Sequence, residues 1–131
     1  MVQINKILVI DDEPKIRALF FQELTGLGYK VLQASDGKEA IDLLRRNEDV
    51  KIALLDILLP ESSGLDVFDM IKKEFPGIKI LISSVYPQDE QRFLVNNADG
   101  YYYKLDALSV LHGEVNRLFT NSFSREERNV S

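Results

Sequence analysis

Four consecutive apolar residues, Ile7-Leu8-Val9-Ile10, stop abruptly at Asp11 and Asp12. With Lys6 in front, the run predicts a buried strand over 6–10, since so short and β-branched a stretch fits a sheet interior better than a helix. The periodicity then changes. Ile16, Leu19, Phe20 and Leu24 recur at helical spacing and predict a helix over 14–27. Pro14 opens it, its missing N–H costing nothing in a first turn, and Gly26 and Gly28 close it. The alternation repeats: a strand over 30–34, a helix over 37–47 turning Ala40, Ile41 and Leu44 inward, a strand over 52–56 ending on Asp56, and a helix over 64–75 stopped by Pro76-Gly77. A strand from 78 to 83 or 84, a short helix over 89–96, a strand over 100–104 and a helix over 107–119 on Leu108, Leu111, Val115 and Leu118 complete it. Residues 121–131 are polar and rich in Ser, Arg and Glu. They are expected to be a frayed tail or the start of a linker, leaving 1–120 as the domain.

Five strands alternating with five helices predict an α/β fold with one five-stranded parallel sheet, doubly wound as (βα)5. Each parallel crossover needs a helix-length connection, and right-handed winding covers both faces. In such sheets functional groups collect outside the carboxyl ends of the strands, near the point where the winding reverses. The reactive side chains fall there. Asp11 and Asp12 end the first strand, Asp56 the third, Ser83 and Ser84 the fourth and Lys104 the fifth.

Composition narrows the function. At 131 residues the chain has the size of one compact domain, with 45% apolar and 28% charged residues. No segment approaches the apolar length of a membrane span. The run before Asp11 lacks the length and cleavage site of a secretion signal, so a cytoplasmic protein is expected. The absence of cysteine removes disulfides, thiolate nucleophiles and Cys-bound metals. A formal net charge of −5 argues against direct nucleic-acid binding by this domain. His112, the single histidine, has no second His or Cys to form a metal site with and is assigned no chemistry.

Three carboxylates at neighbouring strand ends would repel one another by about 3 kcal/mol per pair at about 5 Å and an effective dielectric of about 20. A positive charge belongs among them. An all-oxygen site suits a hard cation such as Mg²⁺, which takes one or two carboxylates and keeps exchangeable waters. A carboxylate on a rigid strand end can attack phosphorus when a cation and a fixed ammonium flank the equatorial oxygens, and Asp56 and Lys104 suit those roles. A hydroxyl ending the fourth strand can hydrogen-bond a phosphoryl oxygen and so move the following loop. Ser84 is the first choice and Ser83 the second, since alternation lets one of the two face the cluster.

Three segments together resemble the receiver domain of response regulators in two-component signalling: Ile7-Leu8-Val9-Ile10-Asp11-Asp12-Glu13-Pro14; Asp56-Ile57-Leu58-Leu59-Pro60 with Gly64 eight residues past the aspartate; and Gly100-Tyr101-Tyr102-Tyr103-Lys104. The resemblance covers about residues 4–119 and implies a flavodoxin-like receiver fold. It implies that Asp12 ligates Mg²⁺ directly and Asp11 largely through water, that Asp56 is both ligand and phosphoacceptor, and that the Leu58 backbone carbonyl completes the ligand set. Lys104 would bind the phosphoryl group, Ser84 would be the switch hydroxyl, and Tyr101 the rotating aromatic. The implied donor is a histidine kinase or phosphotransfer protein, and the implied target a downstream protein or output domain. The protein would be a phosphoacceptor rather than an enzyme, a monomer or a phosphorylation-dependent dimer.

The sequence departs from the family pattern in three places. The usual Lys-Pro pair reads Lys104-Leu105, which leaves the orientation of Lys104 open. The stretch from Ser84 to Tyr101 is about two residues short, implying a trimmed fourth helix or a reshaped loop. Leu58 and Tyr86, at positions that tune dephosphorylation in the family, offer no carboxylate or amide to orient a water, so a long-lived phosphorylated state is expected. Two other functions compete. A haloacid dehalogenase-like phosphohydrolase would need a second acid where Leu58 stands, and room for a cap. A receiver-like interaction module that is no longer phosphorylated is disfavoured by the intact acidic pair, Asp56 and Lys104.

Overall fold

The computed structural model describes residues 5–59, 64–86 and 97–130, with side chains as far as Thr120. The elements are β1 (Lys6–Ile10), α1 (Pro14–Gly26), β2 (Lys30–Ala34), α2 (Gly37–Arg46), β3 (Val50–Asp56), α3 (Gly64–Glu74), β4 (Lys79–Ser84), β5 (Gly100–Tyr103) and α4 (Leu108–Val130). The five strands form one parallel sheet in the order β2-β1-β3-β4-β5. The chain winds outward from β1 to β2 and then back past β1 to β3, so the reversal lies between β1 and β3. Crevices for ligands open at such a point, at the carboxyl ends of the strands. The expected helix over 89–96, Pro60 and most of the shortened stretch lie outside the described residues.

Strand alternation sorts the core into two layers. Leu8, Ile10, Ala53, Leu55, Ile80 and Ile82 pack under α2 and α3. Ile7, Val9, Ile52, Leu54, Leu81 and Tyr102 pack under α1 and α4. Covering both faces is what makes β1 read as an unbroken apolar run, all five of its residues being buried. Asp36 caps α2 by accepting a hydrogen bond from the Glu39 N–H at 2.8 Å, while Glu39 reaches back to the Ser35 hydroxyl at 3.1 Å. Arg45 of α2 and Glu74 of α3 are tied at 2.9 Å across that layer.

Two glycines answer to geometry. Gly28 adopts a left-handed φ of 96°, which reverses the chain after α1 as Tyr29 N–H returns to the Leu24 carbonyl. Gly64 begins α3 against the chain that follows Asp56: its N–H donates to the Ile57 carbonyl at 3.0 Å, and a Cβ there would lie 2.3 Å from the Ile57 Cα.

Some expectations need correction. Leu19 is 38% exposed, and α1 packs instead on Phe20 and Leu24 with Ile16 and Phe21 beside them. The buried face follows the i, i+4 row from Ile16, which leaves Leu19 on its flank. β3 starts at Val50, where a register shift between Lys6 and Ile7 lets Val50 pair with Lys6. α4 does not stop near Phe119 but continues to Val130. Residues 121–130 contain no Gly or Pro to break the helix and several good helix formers, so polarity alone was a poor stop signal. Among the described residues, no helix is long and apolar enough to cross a membrane.

Candidate functional site

Asp11 follows β1 and Asp56 ends β3, side by side at the winding reversal. The same local device holds both. Asp11 Oδ1 accepts the Glu13 N–H at 2.9 Å, and Asp56 Oδ1 accepts the Leu58 N–H at 2.9 Å. An aspartate bonding the backbone two residues on makes an Asx turn, which stops the strand and fixes the carboxylate plane together. The second oxygen of each then faces the site. The Arg17 guanidinium adds a hydrogen bond to the Asp11 carbonyl at 2.7 Å, pinning the loop to α1.

Lys104 bridges the two carboxylates, its Nζ lying 2.8 Å from Asp11 Oδ2 and 3.2 Å from Asp56 Oδ2. Leu105, although 73% exposed in place of the usual proline, does not prevent this, because Lys104 N–H is anchored to the Ser84 carbonyl at 2.7 Å. Asp12 is exposed and completes a group whose carboxylate oxygens, one from each of Asp11, Asp12 and Asp56, lie within 4.8 Å of one another. Burial pushes the Asp56 carboxyl up to about 6; the Leu58 N–H and the Lys104 charge oppose the rise and the Asp11 charge adds to it. For Lys104 burial pulls downward, yet the hydrogen bond to Asp11 and the charges of Asp11 and Asp56 outweigh it and raise the ammonium's pKa. Three acids thus face one ammonium. The donor set is all oxygen, and the uncompensated negative charge matches a hard divalent cation.

The remaining candidates surround this centre. Ser84 is fully buried, and its Oγ accepts the Tyr86 N–H at 3.0 Å. Tyr101 is buried on the α2/α3 side, and its hydroxyl donates to the Tyr86 carbonyl. Ser84 and Tyr101 therefore both hold the loop after β4. Leu58 and Tyr86, two residues past Asp56 and Ser84 respectively, are 51% and 42% exposed. Ser83 pairs in register with Asp56 and is buried, so strand alternation turns Ser83 to the Asp56 face of the sheet and Ser84, expected there first, to the opposite face. Sequence reasoning did not identify the Leu58 and Glu13 N–H groups as the fixtures of the two carboxylates. The signal was available in principle, since an aspartate closing a strand favours such a turn. The Arg17 contact has no comparable signal, because it depends on where α1 docks.

The family model for the response regulator receiver domain matches residues 7–116, and the chain belongs to that family, whose members are signalling domains of two-component systems. The structure resembles the crystal structure of response regulator protein TrrA from Thermotoga maritima in complex with Mg²⁺ and BeF, with a TM-score of 0.80 and 33% identity over 88% of this chain and 99% of that one. A receiver domain from Clostridium thermocellum gives a TM-score of 0.82 at 27% identity, covering 91% of this chain and 97% of that one. Among curated proteins, the probable transcriptional regulatory protein TcrX of Mycobacterium tuberculosis is 33% identical over 104 residues, 79% of this chain and 44% of TcrX. A chemotaxis protein CheY homologue of Campylobacter jejuni is 43% identical over 70 residues, 53% of this chain and 54% of that protein. The chain thus matches about half the length of these curated relatives.

Proposed function

We propose that this receiver accepts a phosphoryl group on Asp56 from a histidine kinase or phosphotransfer protein, with Mg²⁺ present. The observation that carries the reading is the meeting of Asp11, Asp12 and Asp56 within 4.8 Å, with the Lys104 ammonium against two of them. Asp12, Asp56 and the Leu58 carbonyl would hold the ion, and Asp11 would reach it largely through water. When bound, Mg²⁺ offsets the repulsion among the acids and the charge on the oxygens of the transferred group.

The chain's own groups do the rest. A carboxylate oxygen of Asp56 forms a bond to phosphorus while the donor's phosphorus–nitrogen bond breaks, its electron pair leaving with the imidazole nitrogen. The Leu58 N–H keeps the carboxylate from turning during attack. The Lys104 ammonium, already beside Asp56 Oδ2, binds an oxygen of the arriving group. Ser84 turns its side chain past the end of β4 to donate its hydroxyl proton to a phosphoryl oxygen, and that turn takes its oxygen off the Tyr86 N–H. That releases a loop which Tyr101 also grips through the Tyr86 carbonyl. The new surface would engage a downstream protein or output domain, as a monomer or a phosphorylation-dependent dimer, in the cytoplasm, with residues 1–120 as the working unit.

Leu58 and Tyr86 place no carboxylate or amide at the mouth of the site, so hydrolysis is slow and the domain is a switch rather than a turnover enzyme. Incubation with acetyl phosphate and Mg²⁺ should add one phosphoryl group to the intact protein. A chelator or Asp56→Asn should prevent it. Equal labelling of the Asn variant would overturn the reading.

A further inference from the structure

Ser83 Oγ is, among the described residues, the buried side-chain oxygen or nitrogen with no hydrogen-bond partner, and Ser83 is 1% exposed. Its position makes that informative. In the register of β3 and β4, Ser83 stands directly opposite Asp56. Alternation along β4 puts Leu81, and with it Ser83, on the face under α1 and α4, while Ile80, Ile82 and Ser84 fall on the other. Ile52 and Leu54 put Asp56 on the Ser83 face, and Ile7 and Val9 put Asp11 there. Parallel neighbours are about 5 Å apart, so Lys104, coming from the end of β5, spans about 10 Å to meet Asp56 on β3. It does so across β4. The β4 residue on that face, level with Asp56, is Ser83.

We propose that Ser83 is a positioning residue of the acceptor site, its hydroxyl accepting a hydrogen bond from the Lys104 ammonium once Asp56 is phosphorylated. This rests on the reading of Asp56 as phosphoacceptor. An ammonium has three protons to place, and here two go to Asp11 and Asp56. A phosphoryl group on Asp56 takes over one of those contacts and redirects the other. The Lys104 side chain is 9% exposed, so water is a poor substitute partner. A neutral hydroxyl beneath the arm fills the vacancy without adding charge to a site already rich in it. Its own proton then faces the group on Asp56.

The test compares Ser83→Ala, Ser83→Thr and Ser83→Val, Thr and Val being nearly equal in volume and differing in the hydroxyl. The expected pattern is that labelling by acetyl phosphate with Mg²⁺ falls about 10- to 100-fold in Ala and Val, consistent with the loss of one hydrogen bond to a charged group, and stays near wild type in Thr. A second readout is independent of rate. In protein saturated with Mg²⁺ and beryllofluoride as a phosphoryl mimic, NMR should show the Lys104 ammonium protons protected from exchange in wild type and Thr, and unprotected in Ala and Val. The Ala variant should unfold at or above the wild-type midpoint, since a partnerless buried hydroxyl is removed, which separates the effect from damage to the fold. Wild-type labelling and ammonium protection in the Ala variant would overturn the role of Ser83 while leaving Asp56 as acceptor. Absence of labelling in the wild type would overturn both.

Discussion

Asp56 combines burial with proximity to Asp11, and its protonation should be visible in stability. Its carboxyl titrates near 6 in the metal-free fold, against an ordinary value of 3.8. Between those values the folded form holds more protons than the unfolded one, so stability falls as pH rises through that window. At neutral pH the charged group costs on the order of 3 kcal/mol. Asp56→Asn should therefore stabilise the metal-free protein at neutral pH by about 1–3 kcal/mol in urea unfolding and flatten the slope below pH of about 6; a less stable Asn variant would contradict the burial argument. Lys104→Met acts in the opposite sense, leaving Asp11 and Asp56 without their shared cation. Breaking such a buried pair should cost about 3 kcal/mol in the presence of a chelator, with part of the loss recovered on adding Mg²⁺. At this scale the sequence was legible where a charged residue terminated an apolar run, as at Asp11, Asp56 and Lys104. It was illegible where the answer depended on strand parity, because the contrast between Ser83 and Ser84 needs the register of β3 against β4.

At the scale of elements, strands were easier to read than helix ends. β1, β2 and β4 are bounded by changes in hydrophobicity that burial itself imposes. Leu19 misled because a heptad-like spacing on α1 has two possible centres, and docking chose the one through Ile16, Phe20 and Leu24. The end of α4 misled because nothing local stops it. The polar character of residues 121–131 predicts that truncation after Thr120 should leave acetyl phosphate labelling and the cooperative unfolding transition intact. Loss of either would mean that the last eleven residues support the fold. Gly64 is the element-scale counterpart of the site residues. Gly64→Ala sets a methyl group 2.3 Å from the Ile57 Cα, and relief requires the start of α3 to separate from the loop holding Asp56. A loss of about 2 kcal/mol in unfolding free energy is expected, together with slower labelling. Wild-type values for both would show that the loop yields at no cost.

Across the whole molecule, the parallel sheet gathers acids from β1 and β3 and an ammonium from β5 at one edge, while Ser84 and Tyr101 connect that edge to the loop after β4. On the proposed reading, a phosphoryl group on Asp56 would add nearly two negative charges there. Moving such a switch from almost wholly inactive to almost wholly active takes about 5.5 kcal/mol of differential stabilisation. One or two exchanged hydrogen bonds do not supply that, so on the proposed reading partner binding would contribute part of it, and the phosphorylated form should bind its target more tightly than the unphosphorylated form. With no water-orienting side chain at Leu58 or Tyr86, the acyl phosphate should persist for minutes to hours once donor is removed; decay within seconds in a phosphorus NMR time course would show that another group activates water.

The central claim, that Asp56 receives the phosphoryl group, is tested most directly by borohydride trapping. Reduction of an aspartyl phosphate converts that residue to homoserine, which peptide mass spectrometry can locate. After treatment with acetyl phosphate and Mg²⁺, the account predicts homoserine at position 56 and aspartate retained at positions 11 and 12. Homoserine at either of those positions, or none at 56 in protein that carries phosphoryl, would contradict it.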